Sequence, residues 1–352
     1  MLYGIILRLR HLAYDKGWKK SAQAPVPTIC VGNVTAGGTG KTPHTEMILR
    51  TLIHSDEWAF KPLGMLSRGY KRKSKGYQVV PMDGSAALYG DEPVQIARKF
   101  PAVAVAVDKD RLEGCRKLAE AGSALIVLDD AFQYRRLRAS KNIVLVDYYR
   151  PVFKDKLLPW GRLRDLPSRL KKADMVIVTK CPGEVDDAER AQWRKDLKLR
   201  GEQPLFFTSL RYGAPVPVFP EGDTRYAYSQ RLILFTGIAN DAPLRSYLSD
   251  SYKIVQRLEF PDHHKYTRAD VRKLSAAVKA NPTACLMTTE KDAQRIADAF
   301  SRPSAGHSRP SSGHSRPDRE SLRQRMFYLP VEAAFLSPEE EQAFTDALMA
   351  GL

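Results

Sequence analysis

The string Thr35-Ala36-Gly37-Gly38-Thr39-Gly40-Lys41-Thr42 limits what this chain can fold into more than any other stretch of it. It follows a short apolar run at 28–31 and precedes Ile48, Leu49, Leu52 and Ile53, whose spacing predicts a helix. Pro43 suits the first turn of that helix, where no backbone N–H is missed. Glycines let a backbone fold around a phosphate chain, with successive N–H groups and the helix N-terminus aimed at the anion. Residues 35–42 are therefore expected to cradle the phosphates of ATP, with Lys41 reaching the β and γ phosphates and the Thr42 hydroxyl on Mg2+. The first position of such loops is ordinarily glycine and is Thr35 here. The bland alternative is a glycine-rich turn with a chance lysine.

Further apolar runs at 103–107, 125–128, 143–146 and 175–178 alternate with helical or loop segments. Continuously apolar strands suit a parallel sheet covered on both faces. The expected fold is α/β: a P-loop-type three-layer α/β/α domain over 21–203, with a smaller second α/β domain over 231–352. Between them, 204–230 is broken by Pro215, Pro217, Pro220 and Gly222 and reads as a strand-like linker. A Ser-Arg-Pro repeat dominates 301–318; with few apolar residues, it reads as a disordered insertion.

The excess of 56 Lys plus Arg over 40 Asp plus Glu gives a formal charge of +16, a field that attracts phosphates, nucleic acid or anionic lipid alike. Cys30, Cys115, Cys181 and Cys285 are scattered and unpaired in sequence, which fits reduced core thiols better than a disulfide set or a zinc site. No apolar run approaches the roughly 20 residues of a membrane span, so the bulk of the chain is expected in the cytoplasm.

A loop that binds phosphates needs an acidic residue at a nearby strand end for the metal, and Leu125-Ile126-Val127-Leu128-Asp129-Asp130 supplies it. Asp147 ends a similar run but has no further supporting feature, so it is read as structural. Thr289-Glu290-Lys291-Asp292 loosely matches elements that read a nucleotide base; a capped helix start is the better reading. Arg68, Arg111 and Arg164 are candidates for gripping phosphate, because guanidinium forks match its oxygens; a surface salt bridge is the alternative for each.

Several other strings are hard to explain by fold alone: Leu66-Ser67-Arg68-Gly69-Tyr70, Gly90-Asp91-Glu92-Pro93, Asp129-Asp130-Ala131-Phe132-Gln133, Leu157-Leu158-Pro159 with Leu163-Arg164-Asp165, and Phe260-Pro261-Asp262-His263-His264. With the loop, and in this order, they resemble the tetraacyldisaccharide 4'-kinases over about residues 1–295. The resemblance implies a two-domain α/β enzyme acting late in lipid A synthesis, at the cytoplasmic face of the bacterial inner membrane. It implies transfer of the ATP γ-phosphate to the 4'-hydroxyl of a tetraacyldisaccharide 1-phosphate. It further implies Asp91 as base, with His263 paired to it across a domain cleft. Mg2+ would lie among Thr42, Asp129, Asp130 and Gln133, and the substrate among Arg68, Tyr70, Glu92, Arg111, Arg164 and Asp165. The chain departs from the family pattern at Ala131, usually glycine, at Asp165, usually glutamate, and in its extra repeat.

Two other readings remain at this point. One is a P-loop kinase or GTPase-like metallochaperone on a soluble target, disfavoured because no Cys/His relay lies near the loop. The other is a basic ATP-binding protein docking nucleic acid, but Lys71-Arg72-Lys73 and Arg135-Arg136 are short clusters without aromatic interleaving, so no nucleic-acid partner is expected. Finally, Leu2, Ile5, Ile6, Leu9, Leu12 and Ala13 share one helical face, with Arg8, Arg10, Lys16, Lys19, Lys20 and Trp18 around them. With the family resemblance, the region 1–20 is expected to be an amphipathic helix lying in the membrane interface; without it, a first helix packing its stripe on the core is an even alternative.

Overall fold

A computed structural model describes residues 2–238, 240–301 and 316–352. The chain forms two compact units: Met1–Asp83 with Ile96–Arg211 and Glu332–Leu352, and Gly84–Gln95 with Tyr212–Val331. In chain order the strands are β1 (Thr28–Asn33), β2 (Leu63–Ser67), β3 (Gln78–Val79), β4 (Val103–Val107), β5 (Leu125–Asp129), β6 (Lys141–Asp147), β7 (Met175–Thr179) and β8 (Leu205–Tyr212). Then come β9 (Val216–Pro217), β10 (Arg231–Thr236), β11 (Lys253–Glu259), β12 (Cys285–Thr289), β13 (Met326–Leu329) and β14 (Val331–Phe335).

Among the described residues, the first sheet has nine strands in the order β14-β8-β7-β6-β1-β5-β2-β4-β3. Its central strands pair in parallel, and β3 is antiparallel to β4. Every residue of β1, β2, β5 and β7 is buried, as expected for a sheet covered on both faces. One face carries Cys30, Ile126, Leu128, Val144, Val176 and Val178 into a single apolar cluster with Leu118, Leu170 and Trp193. β1 lies between β5 and β6, so the chain leaves its carboxyl end where successive connections depart in opposite directions. Open α/β sheets bind ligands at that kind of switch point.

The second sheet, five strands in the order β11-β10-β12-β13-β9, obeys the same logic on a smaller scale. Ile233, Phe235, Leu286 and Met326 face one apolar cluster, while Leu232, Leu234, Cys285, Met287 and Phe327 face another. Alternation along each strand thus fills both sides.

The α/β class and each apolar run read as a strand are present, but the borders differ from those expected. The stretch 204–230 is no free linker: its first run is β8, parallel to β7, and its second is β9, antiparallel to β13. The carboxyl terminus joins the first unit, because β14 pairs beside β8 and Glu340 bonds both Arg190 and the Phe207 amide. Residues 84–95 belong to the second unit. β2 escaped notice because Gly64 interrupts its apolar run; a Cβ there would stand 2.9 Å from Ser123 Oγ. Of the repeat, 302–315 lies outside the described residues, while Ser301 ends one helix and Arg316 begins another. All four cysteines are buried and free. Among the described residues no helix is long and apolar enough to cross a membrane.

Candidate nucleotide and phosphoryl-transfer site

The helix α2 (Lys41–Ile53) starts directly from the loop, with Gly40 as its N-cap at φ 82° and no side chain capping its first amides. Only glycine takes that backbone without strain, and uncapped amides at a helix start favour an anion. At Gly37, φ 108°, and at Gly38 an added Cβ would meet nothing within 4 Å, so bare backbone faces open space. Phosphate oxygens fit such a cradle.

The loop is held from several directions within its own unit. Asn33 Nδ2 donates to Thr39 Oγ1 at 2.6 Å, and Thr179 Oγ1 donates to the Thr39 carbonyl at 3.0 Å. Lys180 Nζ bonds the Gly38 carbonyl at 2.5 Å and Asp147 Oδ2 at 2.7 Å. Beneath the first turn of α2, the buried His44 pairs with the Gly40 carbonyl and Thr208 Oγ1, and burial pushes its imidazole down to about 4, so no positive charge sits there at neutral pH.

Asp129 ends β5 opposite Val31 of β1, which sets a buried carboxylate beside the root of the loop. Ser67 Oγ lies 3.4 Å from its Oδ2. The next residue, Asp130, has φ 52°, an uncommon backbone for a side chain this close to a site. Lys41 Nζ stands 3.8 Å from Asp130 Oδ2, and the Arg164 guanidinium grips both Asp130 oxygens and Asn33 Oδ1. Burial works to raise the Asp130 carboxyl, but Lys41 and Arg164 more than offset it and hold it below the ordinary value. Gln133 Nε2 donates to the Asn33 carbonyl at 2.6 Å, which places it at the same corner. Arg111 is buried near Asp129 and Asp130 and stacks on Tyr134 at 5.4 Å; burial and neighbouring Arg68 lower its basicity. Hydroxyl and carboxylate oxygens from Thr42, Asp129 and Asp130 suit Mg2+, which takes one or two carboxylates and fills its shell with phosphate and water.

Asp165 does not meet the expectation that it touches substrate. Its side chain is 1% exposed and bonded to His11 rather than facing open space. Arg164 contacts Asp130 and Asn33 instead. Arg68 and Tyr70 are exposed, and Lys71 stacks on the Tyr70 ring at 5.4 Å.

The second unit assembles its own cluster. Asp91 and Glu92 open the helix Asp91–Lys99, and the helix Glu290–Ser301 presents Lys291 and Arg295 one turn apart. Lys291 Nζ bonds Glu92 Oε1 at 2.7 Å. Arg295 donates twice to Asp91 Oδ2, at 2.8 and 2.6 Å, and also to Asp292, the Gly237 carbonyl and His263 Nδ1. His263 Nδ1 is 3.7 Å from Asp91 Oδ2, an ion-pair distance. The expected pairing across a cleft is therefore replaced by proximity inside one unit, with Arg295 between the partners. Burial favours the neutral Asp91 carboxyl, but His263 and Arg295 prevail and hold it below the usual range. His263 also takes a positive φ, 61°. Thr289 caps the helix start through Asp292, as the sequence indicated.

Sequence reading missed Arg295, Asn33 and Lys180. Arg295 had one legible signal: it lies four residues after Lys291, so two cations share a helix face. Lys180 had only its place at a strand end.

Phosphate-loop architecture at a sheet switch point makes this a nucleotide-binding α/β protein of the P-loop class. Within that class, the chain belongs to the tetraacyldisaccharide-1-P 4'-kinase family, whose model matches residues 1–350, past the point where the quoted motifs end. It is 38% identical to a tetraacyldisaccharide 4'-kinase of Phocaeicola vulgatus over 97% of this chain and 90% of that one. A protein of the same name from Porphyromonas gingivalis is 37% identical over 99% and 94%. A crystal structure of the "apo" form of LpxK from Aquifex aeolicus in complex with ATP is similar at a TM-score of 0.71 and 26% identity, covering 99% of this chain and 95% of that one.

Proposed function

We propose that this chain transfers the γ-phosphate of ATP to the 4'-hydroxyl of a tetraacyldisaccharide 1-phosphate, giving the 1,4'-bisphosphate of lipid A biosynthesis. The observation that carries the chemistry is the bare Gly37–Gly38 backbone leading into the uncapped start of α2, with Lys41 at its first position. Lys41 and the loop amides neutralise the phosphate oxygens as charge shifts in the transition state. Thr42, Asp129 and Asp130 would hold Mg2+, which would supply further neutralisation of phosphate charge. Asp91 accepts the proton of the 4'-hydroxyl as that oxygen bonds to the γ-phosphorus and the bond to the bridging oxygen breaks. Arg295 and His263 keep Asp91 ionised and oriented for this step. Incubation of the protein with γ-labelled ATP and the disaccharide 1-phosphate should move label into a lipid product; no labelled lipid would refute the reading.

The same reading takes the substrate from a membrane surface. A first helix, α1 (Leu2–Asp15), leaves Leu2, Ile5, Ile6, Leu9 and Leu12 between 42% and 72% exposed, with Trp18 exposed nearby. That exposure supports the interfacial use of the stripe over a core-packed one. Exposed apolar residues flanked by Arg8, Lys16, Lys19 and Lys20 suit a helix lying among lipid headgroups at the cytoplasmic face of the inner membrane. Replacing Ile5 and Leu9 by serine should weaken sedimentation with anionic vesicles while leaving thermal stability nearly unchanged, because neither residue is buried. Undiminished vesicle binding would rule the interfacial role out.

A further inference from the structure

The inner face of α1 buries a polar side chain beside an apolar one, where a docked helix would ordinarily be apolar throughout. Its buried residues are Leu7 and His11, and His11 is 5% exposed. His11 Nε2 lies 2.6 Å from Asp165 Oδ1, and Arg135 Nη1 lies 3.4 Å from His11 Nδ1. An arginine can only donate and a carboxylate can only accept, so the proton of the ring sits on Nε2 and points at Asp165. The other acceptor of that carboxylate, Oδ2, is buried without a hydrogen bond among the described residues, while Oδ1 also takes the Leu166 amide. Two further contacts run the same way: Tyr3 Oη donates to the Arg164 carbonyl, and Arg10 Nη2 donates to the Gln133 carbonyl, both at 2.8 Å.

The His11 and Tyr3 contacts end on the segment that lines the stem of the phosphate loop. Arg164 N and Asp165 N both donate to the Val34 carbonyl, at 2.9 and 3.2 Å. Ala36 N donates to the Arg162 carbonyl at 2.7 Å, and Thr35 bridges Leu163. From the same segment the Arg164 guanidinium reaches Asp130 and Asn33, and Asn33 in turn holds Thr39. A continuous line of hydrogen bonds thus joins the lipid-facing helix to the loop. Nothing about anchoring α1 requires a buried imidazole on a buried carboxylate; an apolar pair would hold it as well.

We infer that His11 is a positioning residue for phosphoryl transfer: its bond to Asp165 fixes residues 162–165, and so the Arg164 guanidinium, against the loop stem. This rests on the kinase reading above. Small displacements at groups that neutralise phosphate lower turnover steeply, so the expected signature is in kcat rather than in lipid capture.

The test measures label transfer, vesicle sedimentation and melting temperature for the full chain and for His11→Ala, His11→Gln, Tyr3→Phe, Arg164→Ala and His11→Ala/Arg164→Ala. His11→Ala should lower kcat about tenfold or more, with the KM for the disaccharide and vesicle binding within about twofold of the parent. His11→Gln, whose amide nitrogen can take the place of Nε2, should recover most of the loss. The double variant should be no slower than Arg164→Ala alone, because both changes release the same guanidinium. Parental kcat in His11→Ala, a loss confined to vesicle binding or lipid KM, or fully multiplicative losses in the double variant would each overturn the inference. Should His11→Ala not fold, Tyr3→Phe decides: it removes one hydroxyl from the Arg164 carbonyl, and an unchanged kcat there would overturn it too. If the parent itself transfers no label, the kinase reading fails; if only the variants match the parent, this inference alone fails.

Discussion

The phosphate loop and the Asp91 cluster deal with charge in opposite ways. In the first unit, Lys41 stands beyond hydrogen-bond distance of Asp130, and the first amides of α2 have no side-chain cap, so positive potential is directed into open space. In the second unit, Asp91 and Glu92 are met by Arg295 and Lys291 at hydrogen-bond distance, and the carboxylates are neutralised before any substrate arrives. On the kinase reading proposed above, the first region receives an anion and the second keeps a single acceptor ionised and still. They also differ in how they are encoded: the loop is contiguous, whereas the cluster joins residues 91, 263 and 295.

Four experiments test that contrast. Lys41→Ala should reduce label transfer to background, because loop amides cannot replace a charge that follows the γ-phosphoryl group. Measurable turnover in a folded variant would take the loop out of the mechanism. Asp91→Ala and His263→Ala should each cost about 10²- to 10⁴-fold in kcat with ATP binding retained, and the double variant should scarcely exceed the worse single one. Multiplicative losses would mean that the two residues act separately.

Arg295→Lys keeps a charge but not a fork that can hold Asp91, Asp292 and Gly237 together, so kcat should fall about tenfold. The Asp91 carboxyl should then rise toward its ordinary value, moving the acidic limb of the pH profile upward. An unmoved limb would show that Arg295 does not set it. The smallest effect concerns stability. Asp91 and Asp130 both titrate below the ordinary 3.8, so their contribution is present above that value and is lost as pH falls through the folded-state values. Melting temperature should decline below about pH 4, and less so in Asp91→Asn. Equal declines would assign the loss to other carboxylates.

The same contrast explains how much could be read from the sequence. Residues 35–42, 129 and 130 were legible because local chain order fixes them: a strand, its end and the turn that follows. Most strands of the first sheet were legible as unbroken apolar runs. β2 was not, since close packing against Ser123 demands glycine within it. β8 was legible as a strand-like run, but not as a member of the sheet beside β7. Arg295 had only its spacing from Lys291 and His11 had no local signal, because the partners Asp91 and Asp165 lie more than 150 residues away. For Asp165, implied by the resemblance as a substrate residue, no string reveals the burial against His11.

The pairing of β14 beside β8 bears on biosynthesis. The nucleotide-binding unit is discontinuous, with Tyr212–Val331 intervening before its final portion Glu332–Leu352 is made. A ribosome must therefore synthesise most of the second unit before the sheet edge at β8 can be covered and Glu340 can reach Arg190. Until then an unpaired parallel edge is exposed on the nascent chain, a state prone to association with other chains. Emergence of β14, rather than of the phosphate loop, is the event that covers this edge.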